Sequence, residues 1–210
     1  DLPLSRGLGD VYKRQAQHYS TLLTFDWKNF PKLEGDLAES WSMADDGLSY
    51  TFKLHKGVKF HDGTPFTSAD VKASYDRMRN PPEGVTSVRK ALFASISEID
   101  TPDDHTVVFK LSSPDAFMMD GFASPFNAIY SAKDLAADPT FPVKNVNGTG
   151  PYMLDEHVKG EAYKAVRYDG FHHGDNCLDG TVGYRIKGIV EPMVGGQIMA
   201  EWRGVAPPER

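Results

Sequence analysis

Between Gly47 and Lys56 the chain alternates, with Leu48, Tyr50, Phe52 and Leu54 on one side of the backbone and Ser49, Thr51, Lys53 and His55 on the other. A period of two is the mark of a half-buried strand, one face in the core and one in water. Asp46-Gly47 just before it is a strong hairpin signal and predicts a partner strand over 39–43. After it, Gly57-Val58-Lys59-Phe60 leads into His61-Asp62-Gly63-Thr64-Pro65, a tight surface corner: Gly63 can take positive φ and Pro65 cannot continue a ladder. The period then changes. Thr67-Ser68-Ala69-Asp70 has the form of a helix N-terminus, and Val71, Ser74, Tyr75 and Met78 fall on one inward stripe before Asn80-Pro81-Pro82 stops the helix.

Further along, β-branched and aromatic residues predict a second hairpin, Ile96–Asp100 with Thr106–Leu111, joined through Thr101-Pro102-Asp103-Asp104-His105. Val107, Phe109 and Leu111 should share its buried face. Pro114 to Ala123 reads as a short helix, Asn127 to Tyr130 as a strand, and Ser131 to Ala137 as a helix capped by Ser131. Asn147-Gly148-Thr149-Gly150-Pro151 is a glycine turn feeding a strand to about His157, which pairs with Ala162–Arg167. Tyr184 to Val190 is expected to form another strand. The sum is a mixed α/β (α+β) fold of antiparallel hairpins and short helices, without internal repeats.

Composition narrows the classes. Of 210 residues, 40% are hydrophobic and 25% charged, the make-up of a chain that folds around a core. A net charge of −6 opposes binding to nucleic acid, whose phosphates call for a basic patch. No run approaches the roughly 20 apolar residues that cross a bilayer. The single cysteine, Cys177, allows no internal disulfide framework. The run Ser5 to Gln15 follows no helical or strand period, and reads as the in-frame translation of a transposase-type library adapter. Residues 1–15 are therefore expected to be non-native, and the final residues 205–210 to cut the fold short.

Four strings carry a specific resemblance: Leu37-Ala38-Glu39-Ser40-Trp41; Asp45-Asp46-Gly47-Leu48-Ser49-Tyr50-Thr51-Phe52; the long run from Gly57 to Val71; and Gly148-Thr149-Gly150-Pro151-Tyr152. In this order and spacing they resemble family 5 of the bacterial extracellular solute-binding proteins, which serve ABC importers of oligopeptides, dipeptides and nickel complexes. The resemblance runs from Ala16 to about Leu178. It implies a two-lobed fold of the type II periplasmic-binding-protein kind, here partial, with residues 16–145 as the accessory subdomain of the N-terminal lobe and 146–210 as part of the hinge-side lobe. It further implies a monomeric, non-enzymatic protein of the periplasm or extracytoplasmic face, without cofactor, that holds a peptide or similar small solute and hands it to a membrane permease.

Two stretches match cavity-lining positions of relatives: Ser87-Val88-Arg89-Lys90 and Phe122-Ala123-Ser124-Pro125-Phe126. Ser87, Arg89, Lys90, Ser124 and Phe126 are the candidate ligand residues. Arg89 could meet a carboxylate with two parallel hydrogen bonds, and Ser124 could orient a polar group. Two enzymatic alternatives compete. His172 and His173 with Asp175 carry metal-ligand chemistry and could serve a metal-dependent hydrolase, but neighbours on a strand point to opposite faces and no fourth ligand is evident. His61-Asp62 with Ser40, Ser42 or Ser68 has the residue types of a hydrolase triad but no nucleophile-elbow motif. Gly148-Thr149-Gly150 lacks the lysine and spacing of a phosphate loop.

Overall fold

A computed structural model describes residues 17–26, 29–158 and 162–173. The adapter-like run 1–15, Cys177 and the strand expected at 184–190 lie outside these. The elements given in full by the described residues are, in order, β1 (Leu23–Phe25), β2 (Leu33–Gly35), β3 (Ala38–Met43), β4 (Ser49–Leu54), α1 (Ser68–Arg79), β5 (Ile96–Asp103), β6 (Thr106–Leu111), α2 (Met118–Ala123), α3 (Ala132–Ala137), α4 (Phe141–Lys144), β7 (Tyr152–Val158) and β8 (Ala162–Arg167).

The two hairpins read from the sequence are both present, and they join. β4 pairs with β6, so the central antiparallel sheet has the order β3-β4-β6-β5, with Phe52 opposite Val107 and Tyr50 opposite Phe109. Alternation explains the choice. Both inner strands bury every second side chain, Tyr50, Phe52 and Leu54 on one and Val107, Phe109 and Leu111 on the other, and side-by-side pairing makes these one apolar face. α1 covers that face with the predicted stripe, as Val71, Ser74, Tyr75 and Met78 are all buried. Its first turn is tied by Asp70, whose Oδ2 accepts the Thr67 amide at 2.7 Å and whose Oδ1 accepts the Ala132 amide at 2.7 Å, fastening the start of α1 to the start of α3.

The core centre is aromatic. Phe122 of α2 lies 4.8 Å from Phe52, 4.7 Å from Phe109 and 5.7 Å from Tyr75 between ring centroids. The Tyr75 ring is fully buried, and its hydroxyl finds no hydrogen-bond partner among the described residues, while burial pushes its ionisation well above the usual tyrosine range. A buried hydroxyl without a partner costs on the order of 1–3 kcal/mol. Tyr75→Phe is thus expected to leave the urea midpoint unchanged or raise it, and a loss above about 1 kcal/mol would show that the hydroxyl is held after all.

Three local expectations are corrected. β5 does not end at Asp100 but continues through Thr101 and Pro102 to Asp103, leaving Asp104-His105 as the turn. β5 is an edge strand, where a missing amide interrupts no inner ladder, and its register shifts between Asp100 and Asp103. Asn127–Tyr130 is not a strand: its amides are spent singly, Ile129 donating to Ser20 O at 3.1 Å and Tyr130 to Ser74 Oγ at 2.8 Å. α2 begins at Met118 rather than Pro114, because Asp115 turns the chain by accepting the Phe117 amide at 3.0 Å. The β1–β2 pair and α4 were not legible beforehand. No helix among the described residues is long and apolar enough to cross a membrane.

Candidate functional site

Two of the strings that carry the family resemblance meet in space. The corner at His61 and the glycine turn at 148–150 pack against residues 17–19 and form one knot. Gly148 N–H donates to His61 Nδ1 at 3.4 Å, and His61 Nε2 lies 2.9 Å from Gly150 O, so the neutral ring protonated on Nε2 satisfies both contacts. His61 N–H donates to Gly148 O at 2.9 Å, Gly150 N–H to His18 O at 2.9 Å, and Tyr168 Oη to Phe60 O at 3.2 Å. Both ring nitrogens of His61 are thereby taken by backbone. Ser68 donates to Asp103 O at 2.7 Å, and Asp62 accepts from Thr64, so the elements of a hydrolase triad are dispersed into turn and cap chemistry.

His18 closes the other side of the knot, with Nδ1 2.6 Å from Tyr152 O. Burial drives its imidazole down to about 4, opposed by the hydrogen bond to Tyr152 O and reinforced by His61 nearby. The sign follows from comparing states. Below the ordinary value of 6.5 the unfolded chain takes up a proton that the folded chain refuses until about 4, so stability falls as pH drops through this window. A shift of this size corresponds to a loss on the order of 3 kcal/mol by pH 4. His61, also pushed down chiefly by burial, acts in the same direction. Urea midpoints between pH 7.5 and pH 4 should fall accordingly, and His18→Gln should flatten the profile; an equally steep profile in the variant would refute the assignment.

The five ligand candidates lie on two loops, one between α1 and β5 and one after α2. The structure brings Arg89 and Phe126 together, with the guanidinium carbon 5.1 Å from the centre of the Phe126 ring. Cation–π contact of this kind holds an arginine in place without consuming its charge. Among the described residues no carboxylate lies within ion-pair reach of Arg89, and partial burial lowers its ionisation somewhat, the nearby Tyr130 acting oppositely. Ser124 is the C-cap of α2, on the same loop as Phe126, and its carbonyl accepts the Asn127 amide at 2.8 Å. Lys90 is exposed on the turn that carries Arg89, and its amide donates to Ser87 O at 3.5 Å. Two exposed apolar side chains flank Arg89: Val88, 84% exposed, and Leu92.

A third constellation was not assembled from sequence. His172 and His173 lie in a turn after β8 rather than on a strand, and their rings stand 4.2 Å apart, tilted by 41°. Both Nε2 atoms face Asp36 Oδ1, at 3.2 and 3.1 Å. Asp36 sits in the bend between β2 and β3, and its other oxygen accepts the Thr21 amide at 2.8 Å. Burial alone would raise the Asp36 carboxyl, but the hydrogen bonds of His172, His173 and Thr21 hold it below the ordinary carboxylate range. The acid considered earlier, Asp175, lies outside the described residues. Strand alternation, one of the two arguments against joint action of the adjacent histidines, does not apply in a turn.

Comparison with known proteins places this geometry. Residues 32–186 match the family described as bacterial extracellular solute-binding proteins, family 5 Middle. A relative from Brucella ovis, named as an ABC transporter peptide-binding protein, is 38% identical over 147 residues, which is 67% of this chain and 27% of the relative. Among solved structures, the binding protein AgaA of A. tumefaciens R10 in complex with agropinic acid superposes with a TM-score of 0.68 at 34% identity, covering 77% of this chain and 32% of that one. DppA of Helicobacter pylori, in complex with the peptide STSA, gives a TM-score of 0.68 at 26% identity over 78% of this chain and 36% of that one. The chain spans roughly a quarter to a third of the length of these proteins. The matched family is one of binding proteins rather than enzymes, and of extracytoplasmic ones. With the family matched over residues 32–186 and the fold shared, this chain belongs to family 5 of the bacterial extracellular solute-binding proteins.

Proposed function

We propose that this chain is part of the substrate-binding component of an ABC importer, which captures a peptide or a similar small carboxylate-bearing solute in the periplasm and presents it to a membrane permease. The family match over residues 32–186 carries this reading. Relatives and neighbours named or solved with peptides and with agropinic acid support the ligand class. The protein acts as a monomer, without cofactor, and takes no part in nucleic-acid binding. Residues 16–145 form the accessory part of one lobe and 146–210 belong to its hinge side; the strings knotted around His61 and Gly148 lie at that division.

Arg89 is the principal ligand group in this reading. It carries a full charge, is steadied on Phe126, and has no carboxylate partner among the described residues, so a ligand carboxylate would complete it. Ser124 orients a polar group beside it, and Ser87 and Lys90 lie on the rim. Binding closes two lobes around the solute, so affinity rests on contacts from both sides. The 210-residue chain by itself is accordingly expected to bind peptides more weakly than micromolar; submicromolar binding by calorimetry would contradict this. In the full-length protein, titration with a set of short peptides should find a tight ligand, and Arg89→Ala should weaken it about ten- to a hundredfold, as expected for one charge-assisted pair. Unchanged affinity for every carboxylate ligand would remove Arg89 from the site.

A further inference from the structure

The turn after β8 and the bend before β3 are far apart in sequence, yet they place three metal-ligating atoms around one point. We propose that Asp36, His172 and His173 form a binding site for a first-row transition dication such as zinc or nickel, which clips the end of the β7–β8 hairpin to the central body of the fold. The contributing atoms are Asp36 Oδ1 and the two Nε2 atoms, all within 4.8 Å of one another.

The spacing suits a metal. Bonds of about 2.0–2.2 Å to nitrogen and oxygen set neighbouring ligand atoms about 3–3.5 Å apart in tetrahedral or octahedral geometry. The two oxygen–nitrogen separations, 3.1 and 3.2 Å, fall in that range. The donor set of two imidazoles and one carboxylate selects the class. Magnesium and calcium prefer all-oxygen shells, whereas imidazole favours zinc, nickel and copper.

The ligands are also held in advance. Thr21 N–H occupies Asp36 Oδ2 at 2.8 Å, which leaves Oδ1 turned toward the histidines, the kind of outer hydrogen bond that orients a coordinating carboxylate. Phe171 packs on both imidazoles, at 4.7 and 5.4 Å between ring centroids. His55, following β4, faces the pair with its ring centroid 6.0 Å from His172 and 6.1 Å from His173. Three protein ligands leave the remaining coordination positions to water. Each imidazole would hold the ion through Nε2 as a neutral ring that carries its one proton on Nδ1. Asp36 and His173 are separated by 137 positions, so the ion cross-links two distant parts of the chain and contributes directly to folding stability.

The decisive experiment titrates zinc into the chelator-treated chain at pH 7.5 by calorimetry, with thermal unfolding and cobalt(II) absorption in parallel. One saturable zinc per chain is expected, with a melting temperature that climbs with free zinc, cobalt d–d bands and no response to magnesium. His173→Ala, which alters a ring 30% exposed, should weaken binding at least tenfold and cancel the zinc-dependent rise in melting temperature. Asp36→Asn should do the same, and His105→Ala, on the β5–β6 turn, should change neither. Absence of a saturable site in the folded wild-type chain, or zinc affinity unaltered by both His173→Ala and Asp36→Asn, would overturn the proposal.

Discussion

Gly148→Ala should destabilise the protein by about 4 kcal/mol, among the largest effects of any single methyl group in this fold. The reason is proximity of backbone to backbone. A Cβ at Gly148 would fall within the van der Waals surface of His18 O and lie 2.8 Å from His18 C and 2.7 Å from Tyr19 Cδ1. One at Gly150 would lie 2.5 Å from His18 C and 2.7 Å from Tyr19 N. Peptide atoms cannot swing aside as the end of a side chain can, so relief requires the whole 17–19 segment to retreat. Retreat would in turn break Gly150 N–H to His18 O and the His18 contact with Tyr152 O. Urea unfolding followed by circular dichroism would measure the loss. A cost below about 1 kcal/mol would mean that this segment is not packed on the glycine turn.

Phe122→Ala should cost about 3–5 kcal/mol, since it removes the ring on which Phe52, Phe109 and Tyr75 converge. None of these rings has room to follow, because Phe52 and Phe109 are fixed by the pairing of β4 with β6 and Tyr75 by the inward stripe of α1. Most of the vacated volume therefore persists as a cavity. Phe117, at the other end of the same short helix and 70% exposed, is the internal control, and its replacement by alanine should stay within about 0.5 kcal/mol. Equal losses for the two variants would refute the placement of Phe122 at the core centre.

That pair also shows how far sequence reading could reach. Over Phe117-Met118-Met119-Asp120-Gly121-Phe122 the pattern is too short to give a phase, and the two phenylalanines look alike until the sheet supplies an inside. The longer segments behave differently. The alternation from Leu48 to Leu54 and the stripe Val71, Ser74, Tyr75, Met78 each run long enough to define a period, and Tyr50, Phe52 and Leu54 with the whole stripe are buried as that period predicts. Pro102 misled because proline argues against an inner strand, and only the sheet order makes β5 an edge. Asn127–Tyr130 has the apolar content of a strand, yet its amides are taken singly by Ser20 and Ser74 and not by a ladder.

The site residues divide in the same way. Arg89 and Phe126 fall on matching positions, but their contact, which steadies the arginine, joins the loop before β5 to the loop after α2. Asp36 lies 136 positions from His172 and its own surroundings read as a plain turn, so no local pattern joins it to the two histidines.

By itself, then, the amino-acid sequence determined the local elements and the family, since hydrophobic period, turn residues and spelled-out strings act over a few positions and survive without knowledge of the rest of the chain. Tertiary structure alone decided the sheet order, which phenylalanine is core, why Gly148 and Gly150 must lack a Cβ, and which acid faces the two histidines. These are encounters between segments up to 137 positions apart, and no local pattern encodes which distant surface a side chain or a peptide will meet.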